Sequence, residues 1–206
     1  MVRILFICHG NICRSPMAEF VMKDLVKKAG LEDQFEIASA ATSTEEIGRP
    51  IYPPARRKLA EHGISCAGKT ARRLTKADYA QYDLLIGMDR ANIRNMNRIC
   101  GGDPDGKIKL LLGYADRPQG SSNRPCAGRG EARGRSEFRP QGACGIRKAA
   151  KPPTAAQSPQ AEMETSGLCS GEVADPWYTD DFDAAWRDVL AGCQGLLRLC
   201  APEVSR

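Results

Sequence analysis

The chain opens on an apolar run, Val2 to Ile7, broken only by Arg3 and followed by a Gly-containing loop. Such a run reads as a strand buried on both faces of a parallel sheet. After the loop His9–Ser15, Pro16 suits the first position of a helix, with Ser15 as its cap. Met17, Phe20, Val21, Leu25 and Val26 then recur at helical spacing to about Ala29, where Gly30 stops the run. Gln34 to Ser39 alternates as a strand does. Pro53-Pro54 opens a second helix, Ala55 to His62, which Gly63 ends. A third strand is predicted over Asp83–Met88, a helix over Asn92–Cys100 and a fourth strand over Lys107–Leu112. In the stretch Phe182–Leu199, Phe182, Trp186, Val189, Leu190, Cys193, Leu196 and Leu197 share one side, as in a final amphipathic helix.

Strands alternating with helices predict an α/β fold: an open four-stranded parallel sheet with helices on both faces, of the flavodoxin-like kind. Ligands of such sheets sit at the carboxyl ends of the strands, which is where Cys8–Ser15 falls. Residues 116–170 break the pattern. They hold seven Gly, six Pro and six Ser, and of large apolar residues only Phe138, Ile146, Met163 and Leu168. This composition cannot bury enough surface to offset its ordering entropy. The expected organisation is one domain over 1–115 and 171–206, with a long disordered basic insertion over 116–170.

Composition narrows the function classes. Of 206 residues 42% are hydrophobic, yet no apolar run approaches the length of a bilayer span. Val2–Cys8 is too short for a signal sequence, so the expected location is the cytoplasm, with no membrane partner. Nine cysteines at irregular spacing do not resemble a disulfide framework, and two histidines cannot build a His-based metal site. No metal or other cofactor is expected. The net charge is +5, but 116–170 alone holds nine Lys/Arg against five Asp/Glu. The charge is therefore no sign of nucleic-acid binding by the folded body, and the segment's one aromatic offers little for bases to stack on.

The chemistry concentrates in Cys8-His9-Gly10-Asn11-Ile12-Cys13-Arg14-Ser15. Five residues between Cys8 and Arg14 suffice to wrap a loop whose backbone N–H groups converge on one point. Gly10 and Asn11 tolerate the left-handed angles of such an anion nest. The helix that follows adds its positive end, and Arg14 offers a bidentate fork to phosphate oxygens. The same field favours a Cys8 thiolate nucleophile, to which Ser15 can donate a hydrogen bond. His9, Gly10, Asn11, Ile12, Cys13, Arg14 and Ser15 are thus the candidate phosphate-binding residues. A bare Cys-x5-Arg is a weak pattern; the strand before it, the helix after it and the Gly-Asn inside it carry the reading.

The stretch Val2–Phe20 resembles the low-molecular-weight protein tyrosine phosphatases. The resemblance continues through Ser39–Thr44, Arg56–Leu59, His62–Ile64 and Gly87–Asp89, and resumes at Ala174-Asp175-Pro176-Trp177-Tyr178. It implies a metal-independent phosphoric monoester hydrolase in which Cys8 forms a cysteinyl-phosphate. Asp175 serves as general acid and then as general base. The loop N–H groups and Arg14 hold the phosphoryl charge. Without the resemblance, Asp175-Pro176 reads as an ordinary turn. The implied substrates are phosphotyrosine proteins or small aryl phosphates, with inorganic phosphate as product and inhibitor; oligomeric state is left open.

Departures refine the expectation. Ile12 stands where related protein-arginine phosphatases carry Thr, which points to phosphotyrosine. Trp177 and Tyr178 either wall a phenyl ring or only pack the last helix. Glu45 falls where many members place an aromatic on the opposite wall. Lys69 stands at the position of a loop-buttressing histidine of animal members, which leaves Asn11 and Ser39 to carry that network. Cys13 is either a redox partner that traps oxidised Cys8 or an inert small hydrophobe. Two other functions share the fold. An arsenate reductase needs relay cysteines that Asp83–Ile99 lacks. A catalytically impaired phosphate-binding homologue would result if the insertion displaced Asp175.

Overall fold

The computed structural model describes residues 1–115 and 171–204, with side chains to Ala201. The insertion expected over 116–170 lies outside the described residues. Those residues fall within one compact unit formed by Met1–Arg117 and Glu164–Arg206.

Four parallel strands form the sheet: β1 (Val2–Cys8), β2 (Phe35–Ala41), β3 (Leu84–Gly87) and β4 (Ile108–Leu110), in the order β2-β1-β3-β4. The helices are α1 (Arg14–Lys28), α2 (Pro53–Glu61), α3 (Lys76–Gln81), α4 (Arg90–Cys100), the one-turn α5 (Pro176–Thr179) and α6 (Phe182–Val204). β1 is central and fully buried from Ile4 to Ile7, which is why its sequence is apolar without alternation. Its side chains still divide by face. Ile4, Phe6 and Cys8 join a core with Met17, Val21, Leu59, Trp186 and Val189 of α1, α2 and α6. Leu5 and Ile7 join a second core with Met96 and Cys100 of α4 and with Leu74 and Tyr82, which flank α3. The sheet is therefore covered on both faces, as the strand–helix alternation predicts.

Glycine sets how closely α6 approaches the sheet edge. A Cβ at Gly192 would meet Leu111 Cγ at 2.5 Å, and one at Gly195 would overlap the Tyr114 carbonyl. The helix axis can lie this near the turn after β4 only because both positions lack side chains.

Several boundaries differ from the sequence expectations. α1 starts at Arg14, and its N-cap, Cys13, makes no side-chain cap hydrogen bond. Ser15 is not the cap: its hydroxyl faces Cys8. β2 runs on to Ala41 because it pairs with all of β1, ending Cys8 opposite Ala41. β4 stops at Leu110, and Leu111–Gly113 form a 3-10 turn. α3 is absent from the hydrophobic pattern, being only six residues long; a reciprocal Thr75–Asp78 capping box defines its start. Among the described residues no helix is long and apolar enough to cross a membrane.

Candidate active site

β1 delivers Cys8 at the carboxyl edge of the sheet, and α1 begins at Arg14. The intervening loop is held from β2's side by Thr42 N–H donating to the Cys8 carbonyl and Ser43 N–H to that of His9, both at 3.0 Å. Asn11 takes φ 56°, the left-handed conformation that turns its N–H back to Cys8 Sγ at 3.3 Å. Gly10 packs closely for a different reason: a Cβ there would lie 3.2 Å from Glu46 Cγ, so the Glu46 side chain would have to shift to admit one.

Behind the loop runs a chain of buried polar contacts. Ser15 Oγ lies 3.1 Å from Cys8 Sγ. Asn11 Nδ2 donates to Ser15 Oγ at 2.9 Å and to Ser39 Oγ at 2.7 Å. Ser39 donates onward to Glu19 Oε2 at 2.6 Å, and Lys69 Nζ pairs with the same oxygen at 2.6 Å and reaches the Ser39 carbonyl at 3.3 Å. Arg72 N–H donates to Asn11 Oδ1 at 3.2 Å. Asn11, Ser15, Ser39 and Glu19 are each at most 3% exposed. Burial alone would push the Glu19 carboxyl up, but Lys69, Lys23 and Ser39 together hold it below its ordinary range. The loop is thus tied through side chains to α1, β2 and the segment before α3. Asn11 and Ser39 both lie on this chain of contacts, and Lys69 joins it through Glu19 and the Ser39 carbonyl.

Arg14 is 4% exposed and paired twice. Its Nη1 donates to Asp89 Oδ2 at 2.8 Å, and its Nη2 meets Asp175 Oδ2 at 2.6 Å. Burial would lower the guanidinium's affinity for its proton, but Cys8, Asp175 and Asp89 outweigh that and raise it. Asp89 also caps α4, accepting from Asn92 N–H at 2.6 Å, so it orients Arg14 from a fixed helix start.

Asp175 arrives from the other end of the chain. It caps α5, accepting from Trp177 N–H at 3.1 Å. The segment before it is anchored by three backbone donors: Arg90 to Glu172 at 2.9 Å, Val173 to the Met88 carbonyl at 2.8 Å and Ala174 to Asp188 Oδ2 at 2.9 Å. Asp188 sits on α6, and burial pushes its carboxyl up.

These elements enclose a cavity of about 200 Å³ lined by Cys8, His9, Gly10, Ile12, Cys13, Arg14, Glu45, Glu46, Asp175, Trp177 and Tyr178. Most of the sequence candidates therefore converge. Asn11, Ser15 and Ser39 do not line the cavity; their side chains lie behind the loop. Glu45 stands at the rim, 3.3 Å from His9 Nε2. Trp177 and Tyr178 are exposed rather than packed into the last helix, and the Trp177 ring lies 5.5 Å from that of Tyr52. Cys13 is buried, and its thiol is pushed up to about 12, first by burial and then by Cys8 and Asp175.

Sequence reasoning assigned no role to Asp89, Glu19, Glu46 or Asp188. Asp89-x-x-Asn92 after a predicted strand does carry a helix-cap signal. The others carry none, since their significance comes from distant partners.

A loop whose Asn11 amide turns back to the cysteine at its base, a helix start, a buried arginine and a carboxylate facing that arginine define an α/β protein with a site suited to an anionic ligand. The comparisons name the class. The family model described as low molecular weight phosphotyrosine protein phosphatase matches residues 3–124. The chain belongs to that family. It is 39% identical over 116 residues to the low molecular weight protein-tyrosine-phosphatase YfkJ of Bacillus subtilis, covering 56% of this chain and 74% of that one. It is 45% identical over 118 residues to the low molecular weight phosphotyrosine protein phosphatase of Sus scrofa, covering 56% and 74%. The crystal structure of YfkJ superposes with a TM-score of 0.70 at 29% identity, over 98% of this chain and 96% of that one.

Proposed function

We propose that the protein hydrolyses phosphotyrosine and other aryl phosphate monoesters, with Cys8 as nucleophile, Arg14 as phosphate clamp and Asp175 as general acid and base. The observation that carries this reading is Arg14. It is buried at the cavity floor and held between Asp89 and Asp175, with Cys8 among its charge partners.

In the first step the Cys8 thiolate attacks phosphorus. The P–O ester bond breaks as the S–P bond forms, and the leaving phenolate takes the Asp175 proton. In the second step the Asp175 carboxylate takes a proton from water. The water oxygen attacks phosphorus, the S–P bond breaks, and phosphate leaves with the thiolate restored. Phosphoryl oxygens compete with Asp175 for the guanidinium. A bound phosphate therefore detaches Asp175 from Arg14 and leaves it free to face the leaving oxygen. Asp89 keeps Arg14 in place during that exchange. The loop amides and Arg14 stabilise the equatorial oxygens in both steps.

The single domain over 1–115 and 171–206, the supporting role of Ser15 and Ser39, and Cys13 as redox partner of Cys8 belong to the same proposal. So do Glu45, Trp177 and Tyr178 as substrate walls. The test is hydrolysis of p-nitrophenyl phosphate and a phosphotyrosine peptide in the presence of EDTA. Wild type is expected to turn over both, and Cys8→Ser neither. A wild-type protein that binds phosphate or vanadate without turnover would overturn the proposal in favour of a binding homologue.

A further inference from the structure

Beside the phosphate cavity lies a second one of about 630 Å³. Ile12, Glu46 and Trp177 line both, so the two are neighbours across one shared wall. The second cavity has an aromatic side, where the Tyr52 and Trp177 rings stand 5.5 Å apart at 57°. Three guanidiniums, those of Arg49, Arg56 and Arg57, line it together with one carboxylate, Glu46. Arg49 Nε is paired with that carboxylate at 3.2 Å. Arg56 and Arg57 are exposed on α2 and have no ion-pair partner among the described residues. The cavity therefore carries two uncompensated positive charges next to the site that takes a phosphoester.

Guanidiniums with no internal partner are suited to bidentate binding of a carboxylate or phosphate. A free anion in the second cavity would gain little, because exposed pairs are weak. An anion tethered to a substrate already seated in the first cavity binds at high effective concentration. Building on the phosphotyrosine reading, we infer that this cavity is a second subsite, which takes an anionic side chain flanking the phosphotyrosine on the same peptide. Arg56 and Arg57 are its specificity-determining residues.

The test compares kcat/KM for phosphotyrosine peptides flanked by Ala, Asp, Lys or phosphoserine. It uses the full-length protein as wild type, Arg56→Ala/Arg57→Ala and Arg56→Glu/Arg57→Glu. Wild type is expected to favour Asp over Ala flanks by about three- to tenfold, expressed in KM rather than kcat. The alanine pair brings that ratio toward one, and the glutamate pair turns the preference to Lys flanks. About 0.5 M salt compresses every ratio. A phosphoserine flank that outranks Asp identifies phosphate as the better occupant; equal ranking identifies any anion. Lys27→Glu/Lys28→Glu, at the far end of α1, controls for general charge. A wild-type ratio near one, a ratio unmoved by the glutamate pair, or an equal shift in the Lys27/Lys28 control overturns the subsite. A wild type inactive on p-nitrophenyl phosphate and on every peptide overturns the activity reading itself, and the subsite with it.

Discussion

The two halves of the site are held in different ways. The nucleophile loop is braced from inside the core: Asn11, Ser15, Ser39 and Glu19 are buried and contact one another through side chains. The acid segment is held from its edges, by three backbone donors reaching Glu172, the Met88 carbonyl and Asp188, and its tip residues Trp177 and Tyr178 are exposed. A phosphate cradle needs several amides aimed at one point, so a small displacement of any of them is costly. In the proposed mechanism Asp175 must release Arg14 and approach a leaving oxygen, so it requires reach more than rigidity. The difference in anchoring follows from that difference in task.

The comparison breaks most sharply at Asp175. Replacing it with Asn is expected to lower kcat roughly 10²–10⁴-fold for poor leaving groups and much less for p-nitrophenyl phosphate. Phosphate affinity should survive, because Arg14 keeps Asp89. An equal loss with both leaving groups, measured by steady-state kinetics, would remove Asp175 from proton transfer.

On the bracing side, Glu19→Ala leaves Lys69 without its buried partner and the Ser39 hydroxyl without an acceptor. The expected loss is about 3 kcal/mol in urea denaturation, accompanied by weaker vanadate binding. A pH series sharpens this. The Glu19 carboxyl is held below its ordinary value of 4.5, so its contribution is present above that pH and disappears as pH falls through the lower folded value. The stability gap between wild type and Glu19→Gln should therefore be full at neutral pH and close below about 4.5. A gap that stays constant across this range would show that Glu19 does not act through its charge.

Asp188→Ala probes the acid side more gently. Ala174 N–H loses its acceptor, at a cost of about 1–2 kcal/mol. kcat should fall less than in Asp175→Asn, with KM nearly unchanged. A rise in KM alone would mean that Asp188 shapes the pocket rather than the acid segment.

The smallest effect concerns Cys13, whose thiol is raised to about 12. If it traps oxidised Cys8 as its thiolate, closure of the disulfide after peroxide should speed up nearly tenfold per pH unit through the neutral range. A pH-independent rate, or recovery by thiol reductant undiminished in Cys13→Ser, removes Cys13 from that role.

The fold was readable because its signals are local. β1 is apolar throughout since both its faces are covered, and α1, α2, α4 and α6 carry helical periodicity over two turns or more. α3 escaped because six residues cannot display a period, although its Thr75–Asp78 box was present in the sequence. Ser15 was misread as a cap because a serine before a proline has that local preference, whereas Cys8 and Asn11 compete for its hydroxyl only once the loop has closed.

The sequence by itself determined the sheet class, the loop from Cys8 to Arg14 and, through its family resemblance, the pairing of that loop with Asp175. These depend on residues near one another in the chain or on a motif that survives translation along it. Tertiary structure alone decided that Asp89 holds Arg14, that Glu19 and Lys69 brace Ser39, that Asp188 supports the segment carrying Asp175 and that Arg56 and Arg57 line the cavity next to the one that holds Cys8. Each of these brings together residues far apart in sequence, and each involves a charged side chain. A charged residue shows no period or motif that names its partner; only the closed sheet, with its strand ends and helix starts gathered at one edge, brings the charges within bonding distance.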